Sequence, residues 1–474
     1  FQDDLPVRWS EVRVSVPETF NYSLLMRVPR PLDVQETSPE YTRYAFRNLP
    51  AIRSEPFVTT LDDYRAHIGF QLASVTFPGK TEQKFMTTWE DLAKEMEKWD
   101  GFGQQYKREK NSDDMWQRLS LQLAPGMAAD SIAQQVLRFV GNNLKWNGEL
   151  GYILEGSLDD AFQRKTGSSA ALNLALVALL RRAGLDAVPM LVSTRNNGKT
   201  YEKSPFREQF NSVVAYLRQG DSGLLLDATN PFLPVGQLDV RYYNGAGWLV
   251  DSKQPVWITL KPPEALQTWF GQLRLAESGE LSGKFTINVT GAIAADWRGE
   301  LTHTSEQDFL KKHFAPGYPD ITFDSIHFAA RQNFYKPLQV SFQCRIPNAA
   351  NIVNDFIYCR LVLDYLVEEN PFKSLNRSFP VNFAYPVKMN YALNLQLPLG
   401  YVVEELPQAA RIALADDTGK ISFNCSNASP QMVQLQFRMN LSKAEFAAED
   451  YGALRKFFGL IAEKTQLQLV LKRG

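Results

Sequence analysis

The chain has 474 residues, of which 44% are hydrophobic and 22% charged, and this composition is typical of a folded protein of about three domains. Its 51 Lys and Arg residues nearly balance its 52 Asp and Glu residues, so no overall basic field favours nucleic acid. The longest uncharged stretch, residues 421–437, spans 17 residues with many polar ones, fewer than the ~20 apolar residues of a membrane-spanning helix. We therefore expect neither a nucleic-acid partner nor a transmembrane segment.

The chain starts at Phe1, without an initiator Met or the pattern of a signal peptide. We expect a mature or trimmed form. The odd number of cysteines, Cys344, Cys359 and Cys425, excludes a disulfide framework. Pairing of Cys344 with Cys359 stays open, and buried free thiols are the favoured interpretation.

Three regions follow one another along the chain. Residues 1–86 show the alternation of short strands and predict a β domain. Residues 87–255 begin with the helical spacing of TWEDLAKEMEKW and continue with strands, which predicts an α+β domain. Residues 256–474 return to strand patterns, with helices expected near 305–314 and 449–464, and predict a β-sandwich with added helices. The fold class is thus a multidomain α+β protein.

The middle region contains segments whose start and end signals are clear. Ser157 and Asp160 form a capping-box pattern before a short helix. A second helix starts at Ser168 or Ser169, carries a leucine stripe and ends at Gly184. Strand patterns follow at residues 187–193, 212–217 and 223–229, the last two joined by a turn at Gly220-Asp221-Ser222.

These middle segments resemble the transglutaminase-like branch of the papain-like superfamily. The match lies in RKTGSSAALNLALVALLRRAGLDAVPMLV at 164–192, FNSVVAYL at 210–217 and LLLDATNP at 224–231. The flanking regions, including NPFKSLNRSFPVNFAYP and LPLGYVVEELP, look like a bacterial multidomain group that places such a core between two β domains of unknown function. By this resemblance the N-terminal β domain begins part-way through, and we expect it to be incomplete.

The resemblance places the nucleophile position on Ser169, the general-base position on Ser212 and the orienting acid on Asp227. In the family the first two positions hold Cys and His, since a thiolate attacks and an imidazole takes its proton. This chain has only four histidines, at positions 67, 303, 313 and 327, and no cysteine before Cys344. Residues 68–302 therefore cannot supply a Cys-His pair, whatever the exact alignment.

The geometry of the three positions is nonetheless expected to persist. A hairpin centred near Gly220 pairs Val214 with about Asp227, so that Ser212 and Asp227 are diagonal neighbours on one face. Each residue also has a purely structural interpretation: Ser169 as a helix cap, Ser212 as a small strand residue, and Asp227 in an Asx turn with Thr229.

The sequence leaves two functions open. The first is a noncatalytic module that recognises a peptide or glycan in the cleft, and the resemblance places it in the periplasm or on the surface of a Gram-negative bacterium. The second is an active hydrolase or acyltransferase that uses Ser169 with a base other than His, such as a nearby Lys. No cofactor or metal motif is present. Aromatic residues flank the predicted cleft and are candidates for ligand stacking: Trp146, Tyr152, Tyr242, Tyr243 and Trp248.

Overall fold

The computed structural model describes residues 1–85, 88–220, 222–314, 317–363 and 369–474. The chain forms two compact units, Phe1–Lys261 and Pro262–Gly474, and both contain sheets. The multidomain α+β class is therefore confirmed. The predicted boundary at 86/87 lies at residues outside the described ones, so the three-domain division stays a prediction. The strand Trp257–Thr259 belongs to the sheet of the first unit, which lies beyond the boundary predicted at 255/256.

The N-terminal part of the first unit consists of two small antiparallel sheets. One has the strand order β1-β4-β3 and the other β2-β5-β6. Phe46, Leu49 and Ala66 form a small buried cluster there, which fits the alternation of apolar residues in the sequence. The strands are β1 (Val7–Val14), β2 (Phe20–Arg27), β3 (Val34–Thr37), β4 (Thr42–Leu49), β5 (His67–Val75) and β6 (Gln83–Lys84).

Six helices and seven strands follow among the described residues of this unit. The helices are α1 (Trp89–Met96), α2 (Gly103–Lys107), α3 (Asp113–Ser120), α4 (Ala129–Asn143), α5 (Leu158–Arg164) and α6 (Ser169–Arg182). The strands are β7 (Lys145–Trp146), β8 (Thr166–Gly167), β9 (Ala187–Val192), β10 (Ser212–Gln219), β11 (Ser222–Leu226), β12 (Ala246–Leu249) and β13 (Trp257–Thr259).

Helix α6 is the central helix of this unit. Every residue from Ser169 to Leu180 is buried, because the segment is apolar on all sides and can be surrounded by other elements. It packs against β9 and β10 of a five-stranded sheet with the order β11-β10-β9-β12-β13. The short helix before it, α5, has the predicted capping box between Ser157 and Asp160. The five-stranded sheet and helix α5 together determine the position of α6.

The second unit is built on an eight-stranded sheet with the order β16-β17-β15-β14-β21-β25-β24-β23. A four-stranded sheet, β18-β19-β27-β22, and three helices share one apolar core with it. The strands are β14 (Ala265–Leu275), β15 (Leu281–Val289), β16 (Thr322–Ala329), β17 (Leu338–Ile346), β18 (Ala350–Val353), β19 (Phe356–Arg360), β20 (Val381–Asn382), β21 (Val387–Gln396), β22 (Tyr401–Glu405), β23 (Ala410–Ala413), β24 (Gly419–Ser429), β25 (Met432–Leu441), β26 (Glu445–Phe446) and β27 (Gln468–Arg473). The helices are α7 (Gly291–Glu300), α8 (Glu306–Phe314) and α9 (Tyr451–Gln466).

Two of these helices, α8 and α9, were expected from the sequence, and α7 was not. Its segment GAIAADWRGE has small residues in place of a clear apolar stripe, and Thr290 before it makes no side-chain cap. Arg298 of α7 is 4% exposed and donates from Nη2 to the carbonyls of Ala330, Asn333 and Lys336. This buried cation therefore holds the loop that follows β16.

The three cysteines are free thiols. Cys344 on β17 and Cys359 on β19 are both buried, and burial raises the pKa of each thiol to about 12. Cys425 on β24 is partly buried and has its pKa raised to about 11, again by burial. The expectation of free cysteines among strands is confirmed. No helix in the described part of the chain is long and apolar enough to cross a membrane.

Candidate functional site

Ser169 is the first residue of α6, and its side chain is fully buried. Its Oγ donates to the carbonyl of Gly151 (2.8 Å) and accepts from the Gly151 N–H (2.9 Å). Neither Ser168 nor Ser169 bonds the N–H groups of α6 through its side chain. The helix-cap interpretation of Ser169 is therefore wrong: the side chain fastens a neighbouring loop to the helix end.

Ser212 is the first residue of β10 and lies directly against Ser169. Its Oγ lies 2.9 Å from Ser169 Oγ, to which it donates, and 3.2 Å from the phenol oxygen of Tyr242. Both serines and Tyr242 have no exposed surface. With Gly151 and Ser212 as partners, Ser169 makes one donated and two accepted hydrogen bonds, which is the full capacity of a hydroxyl.

Asp227 follows β11 and is 1% exposed. Its Oδ1 accepts hydrogen bonds from Asn173 Nδ2 (3.1 Å) and from the Thr229 N–H (2.9 Å), and the Thr229 hydroxyl bonds the same carboxylate. The Asx turn with Thr229 is thus confirmed. Burial raises the pKa of Asp227 above its ordinary value, although these hydrogen bonds oppose the shift.

The hairpin register agrees with the sequence prediction. Ala215 pairs with Leu226, so the next positions along the two chains are Val214 and Asp227, and Ser212 is diagonal to Asp227. The predicted turn residue Asp221 lies outside the described residues. Across the part of the chain that is described, Asp227 makes no hydrogen bond to Ser212 or Ser169. The structure brings the two serines together and leaves the acid bonded to Thr229 and to Asn173 of α6.

Among the described residues, no Lys, His or carboxylate side chain makes a hydrogen bond with Ser169. The side-chain and backbone groups that bond its hydroxyl belong to Gly151 and Ser212. Three lysines close in sequence, Lys165, Lys199 and Lys203, are all exposed, and none bonds Ser169 among the described contacts. Deprotonation of a serine hydroxyl needs a strong base within hydrogen-bond reach. In the described contacts, the hydrogen bonds of the Ser169 hydroxyl are made with Gly151 and Ser212 alone.

Three of the five aromatic residues predicted to bind a ligand lie in the interior. Tyr242 and Trp248 have no exposed surface, and Tyr243 is 6% exposed. Burial raises the pKa of Tyr242, and Trp248 packs 4.6 Å from Trp89 between ring centroids. These three aromatic rings pack in the core with little or no exposed surface, so stacking on a ligand at these positions stays a prediction that burial disfavours.

Trp146 and Tyr152 are half-buried and remain near the surface. The guanidinium of Arg241 lies 4.1 Å from the ring centroid of Trp146. Arg241 is also held by Asp239 through two charged hydrogen bonds of 2.8 and 3.0 Å. Burial opposes ionisation of Asp239, but the Arg241 bonds hold its pKa below its ordinary value.

A cleft of about 530 Å³ borders the buried cluster. Its lining segments come directly before members of the cluster in sequence: Leu150 precedes Gly151, Asn211 precedes Ser212, and Arg241 precedes Tyr242. The polar lining includes two guanidinium groups, three carboxamides and a hydroxyl, and no carboxylate. The lining residues are Leu150, Thr194, Arg195, Asn196, Asn197, Asn211, Val240 and Arg241.

The loop 194–197 contributes half of this lining and is held by amide side chains. Asn211 accepts from the Thr194 N–H (2.9 Å) and donates to Thr194 Oγ1 (2.8 Å). Asn244 donates to the carbonyls of Thr194 and Gly198. Such bonds fix the loop before any ligand arrives, which lowers the entropy cost of binding. The sequence analysis missed this loop, although the polar run Thr-Arg-Asn-Asn, which begins two residues after the end of β9, is a signal for it.

The chain is similar to known proteins in one C-terminal region and in its fold. Residues 354–471 match the model of a domain of unknown function with a solved structure, DUF3858. No curated protein matches the chain. A crystal structure of a putative protease from Parabacteroides distasonis is similar over 99% of this chain and 74% of its own, with a TM-score of 0.57 and 12% sequence identity. At that identity the likeness establishes a shared fold and nothing about activity.

Proposed function

We propose that the first unit contains a transglutaminase-like core that binds its ligand without reacting with it. The hydrogen bonds of Ser169 carry this proposal, since the hydroxyl is fully buried and has no bonding capacity left for a base or a substrate. Residues 68–302 contain neither Cys nor His. The cleft beside Ser212 keeps a preformed polar lining, which is what a recognition module needs.

The lining favours an acidic peptide as the ligand. Guanidinium and carboxamide groups donate hydrogen bonds to carboxylates and peptide carbonyls, and the residues that line the cleft include no carboxylate, although Asp239, outside the lining, pairs with Arg241. A glycan is the less suitable ligand, because Arg241 covers one face of Trp146, the aromatic residue beside the cleft.

Absence of catalysis can be tested with a serine-reactive fluorophosphonate and with labelled casein. We expect no phosphonate labelling at Ser169 and no casein hydrolysis above a buffer blank. Ser169→Ala is the matched variant, because it removes the only atom that could be labelled there. Labelling of the native protein that disappears in this variant would establish the alternative, an active serine hydrolase.

Binding can be tested by titration calorimetry with N-acetylated hexaglutamate and N-acetylated hexalysine. We expect hexaglutamate to bind and hexalysine not to bind. Asn196→Ala, on the exposed part of the loop, should weaken hexaglutamate binding about fivefold, since one hydrogen bond is worth about 1 kcal/mol. Arg164→Gln on α5 is the control for loss of an unrelated exposed group. Equal affinity in both variants, or binding of neutral glycans only, would contradict an acidic-peptide cleft.

The cellular location is part of the same proposal. The resemblance of the segments around Ser169 and of the flanking β regions suggests a protein of the periplasm or cell surface in a Gram-negative bacterium. Fractionation of the native cells, with an antibody against the chain, tests this. Recovery in the cytoplasmic fraction alone would contradict it.

A further inference from the structure

A continuous line of polar side chains crosses the eight-stranded sheet of the second unit. Each member is the direct register partner of the next, on seven neighbouring strands. Direct partners project from the same face of a sheet. The residues one position along, such as Ile421, Phe437 and Trp269, are buried in the core, so the line lies on the opposite, open face. In order from β23 to β17 the line consists of Arg411, Ser422, Arg438, Asn390, Thr268, Asn288 and Gln339.

The line starts with cationic groups that have no partner. Arg411 and Arg438 are exposed, and neither makes a side-chain hydrogen bond or ion pair within the described residues. Both line a groove of about 470 Å³ together with Ser422 and Lys420. Asn440 lines the same groove, and its Oδ1 is buried without a hydrogen-bond partner. The buried Asn440 oxygen gains a hydrogen bond when a ligand hydroxyl donates to it, and the exposed guanidinium groups can exchange water for a ligand.

Two further lines run beside the first, each displaced by two residues along the strands. The second contains Phe270, which is 39% exposed at the centre of the sheet, between Ala392 and Thr286. The third contains mostly amides and hydroxyls, and there Lys284 and Asp324 are the charged members. In full, the second line is Asn424, Gln436, Ala392, Phe270, Thr286, Ser341 and His327, and the third is Ser426, Gln434, Asn394, Gln272, Lys284, Gln343 and Asp324.

We propose that this open face binds an acidic polysaccharide whose chain lies across the strands. Neighbouring strands lie about 4.8 Å apart, close to the length of one sugar residue in an extended chain, so successive sugars meet successive side chains of one line. Amides and hydroxyls match sugar hydroxyls in both donors and acceptors. Phe270 offers an apolar face to a sugar ring.

The charge of the face selects acidic sugars. The three lines contain Arg411, Arg438 and Lys284 against one carboxylate, Asp324, so the face attracts anions. A guanidinium forms paired charged hydrogen bonds with a carboxylate, which is the group that distinguishes a uronic acid from a neutral sugar. This surface belongs to the second unit and shares no residue with the cleft of the first, so the two proposals can fail independently.

The test is titration calorimetry of the full chain with hexagalacturonate, with cellohexaose as the neutral sugar of equal length. We expect hexagalacturonate to bind more tightly than cellohexaose. The double variant Arg411→Gln and Arg438→Gln should weaken hexagalacturonate binding about tenfold, because two charged hydrogen-bonding groups are lost. Phe270→Ala should weaken binding of both sugars. Lys456→Gln, an exposed cation on α9, is the control and should leave all affinities unchanged.

Three outcomes would overturn the proposal. The first is no binding of hexagalacturonate, and the second is binding that the double arginine variant leaves unchanged. The third is equal or tighter binding of single-stranded DNA or of hexaglutamate with the same dependence on Arg411 and Arg438, which would make the face a general polyanion site. Circular dichroism of each variant verifies that these exposed substitutions leave the fold intact.

Discussion

The cluster around Ser169 and the open face of the eight-stranded sheet are both rich in polar side chains, but they differ in what those side chains bond. In the cluster, Ser169, Ser212 and Asp227 are at most 1% exposed, and each is bonded to another group of the protein. On the open face, Arg411 and Arg438 are exposed and have no side-chain partner among the described residues. Both regions bring together side chains that can form hydrogen bonds or ion pairs with a ligand.

Proximity of suitable residues does not by itself make a binding or catalytic site. A buried polar group must be satisfied inside the protein, and once it is satisfied it has nothing left for a ligand. An exposed polar group is satisfied by water, which a ligand can replace. The positions that resemble a catalytic triad have their hydrogen-bonding groups used within the protein, while the open face has exposed polar groups that can bond a ligand.

The largest expected effect comes from removing the buried acid. Asp227→Ala should lower the free energy of unfolding of the first unit by about 3 kcal/mol, because donors on Asn173 and Thr229 lose their acceptor in the interior. Denaturant unfolding followed by tryptophan fluorescence measures this. Glu155→Ala, at an exposed carboxylate, is the control and should change little. Equal unfolding midpoints for the two variants would contradict a structural role for Asp227.

Introducing the Cys and His of a cysteine protease at positions 169 and 212 should damage the cluster. The double variant Ser169→Cys and Ser212→His should lower the free energy of unfolding by about 2 kcal/mol, since an imidazole has no room beside the Tyr242 phenol 3.2 Å away. We expect no casein hydrolysis. Ser222→His, on the exposed end of β11, controls for the substitution itself. If the Ser169→Cys and Ser212→His variant were stable and active, the cluster would have room for an imidazole beside Tyr242, and the prediction would be wrong.

The raised pKa of Asp227 predicts a pH dependence of stability. Because the folded protein holds this proton more tightly than the unfolded chain, whose pKa is the ordinary 3.8, the native state binds more protons in the window above that value. Stability relative to Asp227→Asn should therefore fall as pH rises from about 3.8 to the folded pKa, with a slope of at most about 1.4 kcal/mol per pH unit, and level off above it. If the relative stability rose with pH over this window, the pKa of Asp227 in the folded protein would be lowered and not raised.

The smallest effect is expected on the open face. Arg438→Gln should change the free energy of unfolding by less than about 0.5 kcal/mol, because the exposed guanidinium stabilises nothing in the protein. Arg298→Gln is the matched buried substitution, and it should cost about 2 kcal/mol because three carbonyls lose their donor. If both substitutions lowered the free energy of unfolding equally, the buried Arg298 and the exposed Arg438 would not differ in their contribution to stability, and the prediction would be wrong.

Local patterns predicted much of the first unit. The capping box at Ser157, the apolar helix after Ser169 and the hairpin that puts Ser212 diagonal to Asp227 all depend on residues close in sequence. The partners of these residues were not predictable in the same way. Gly151 and Tyr242 reach the cluster from 18 and 30 residues away from the serines that they bond, and single-sequence periodicity carries no information about such contacts.

Less of the structure of the second unit could be predicted from the sequence. Alternation indicated its strands but not their order, and the parallel pairing of β14 with β21 brings together segments more than a hundred residues apart. The polar line across the open face exists only through that order, since its members come from seven separate strands. Helix α7 was missed because Ala and Gly give it little amphipathic signal.

The phenol of Tyr242 limits which side chains position 212 can accept. With Ser212 enclosed between that phenol and Ser169, a histidine cannot replace Ser212 by one substitution without a loss of stability. The tyrosine must be replaced before the histidine can be accommodated, and the tyrosine itself is part of the core. Tyr242 therefore makes a serine at position 212 easy to keep and a histidine there hard to introduce.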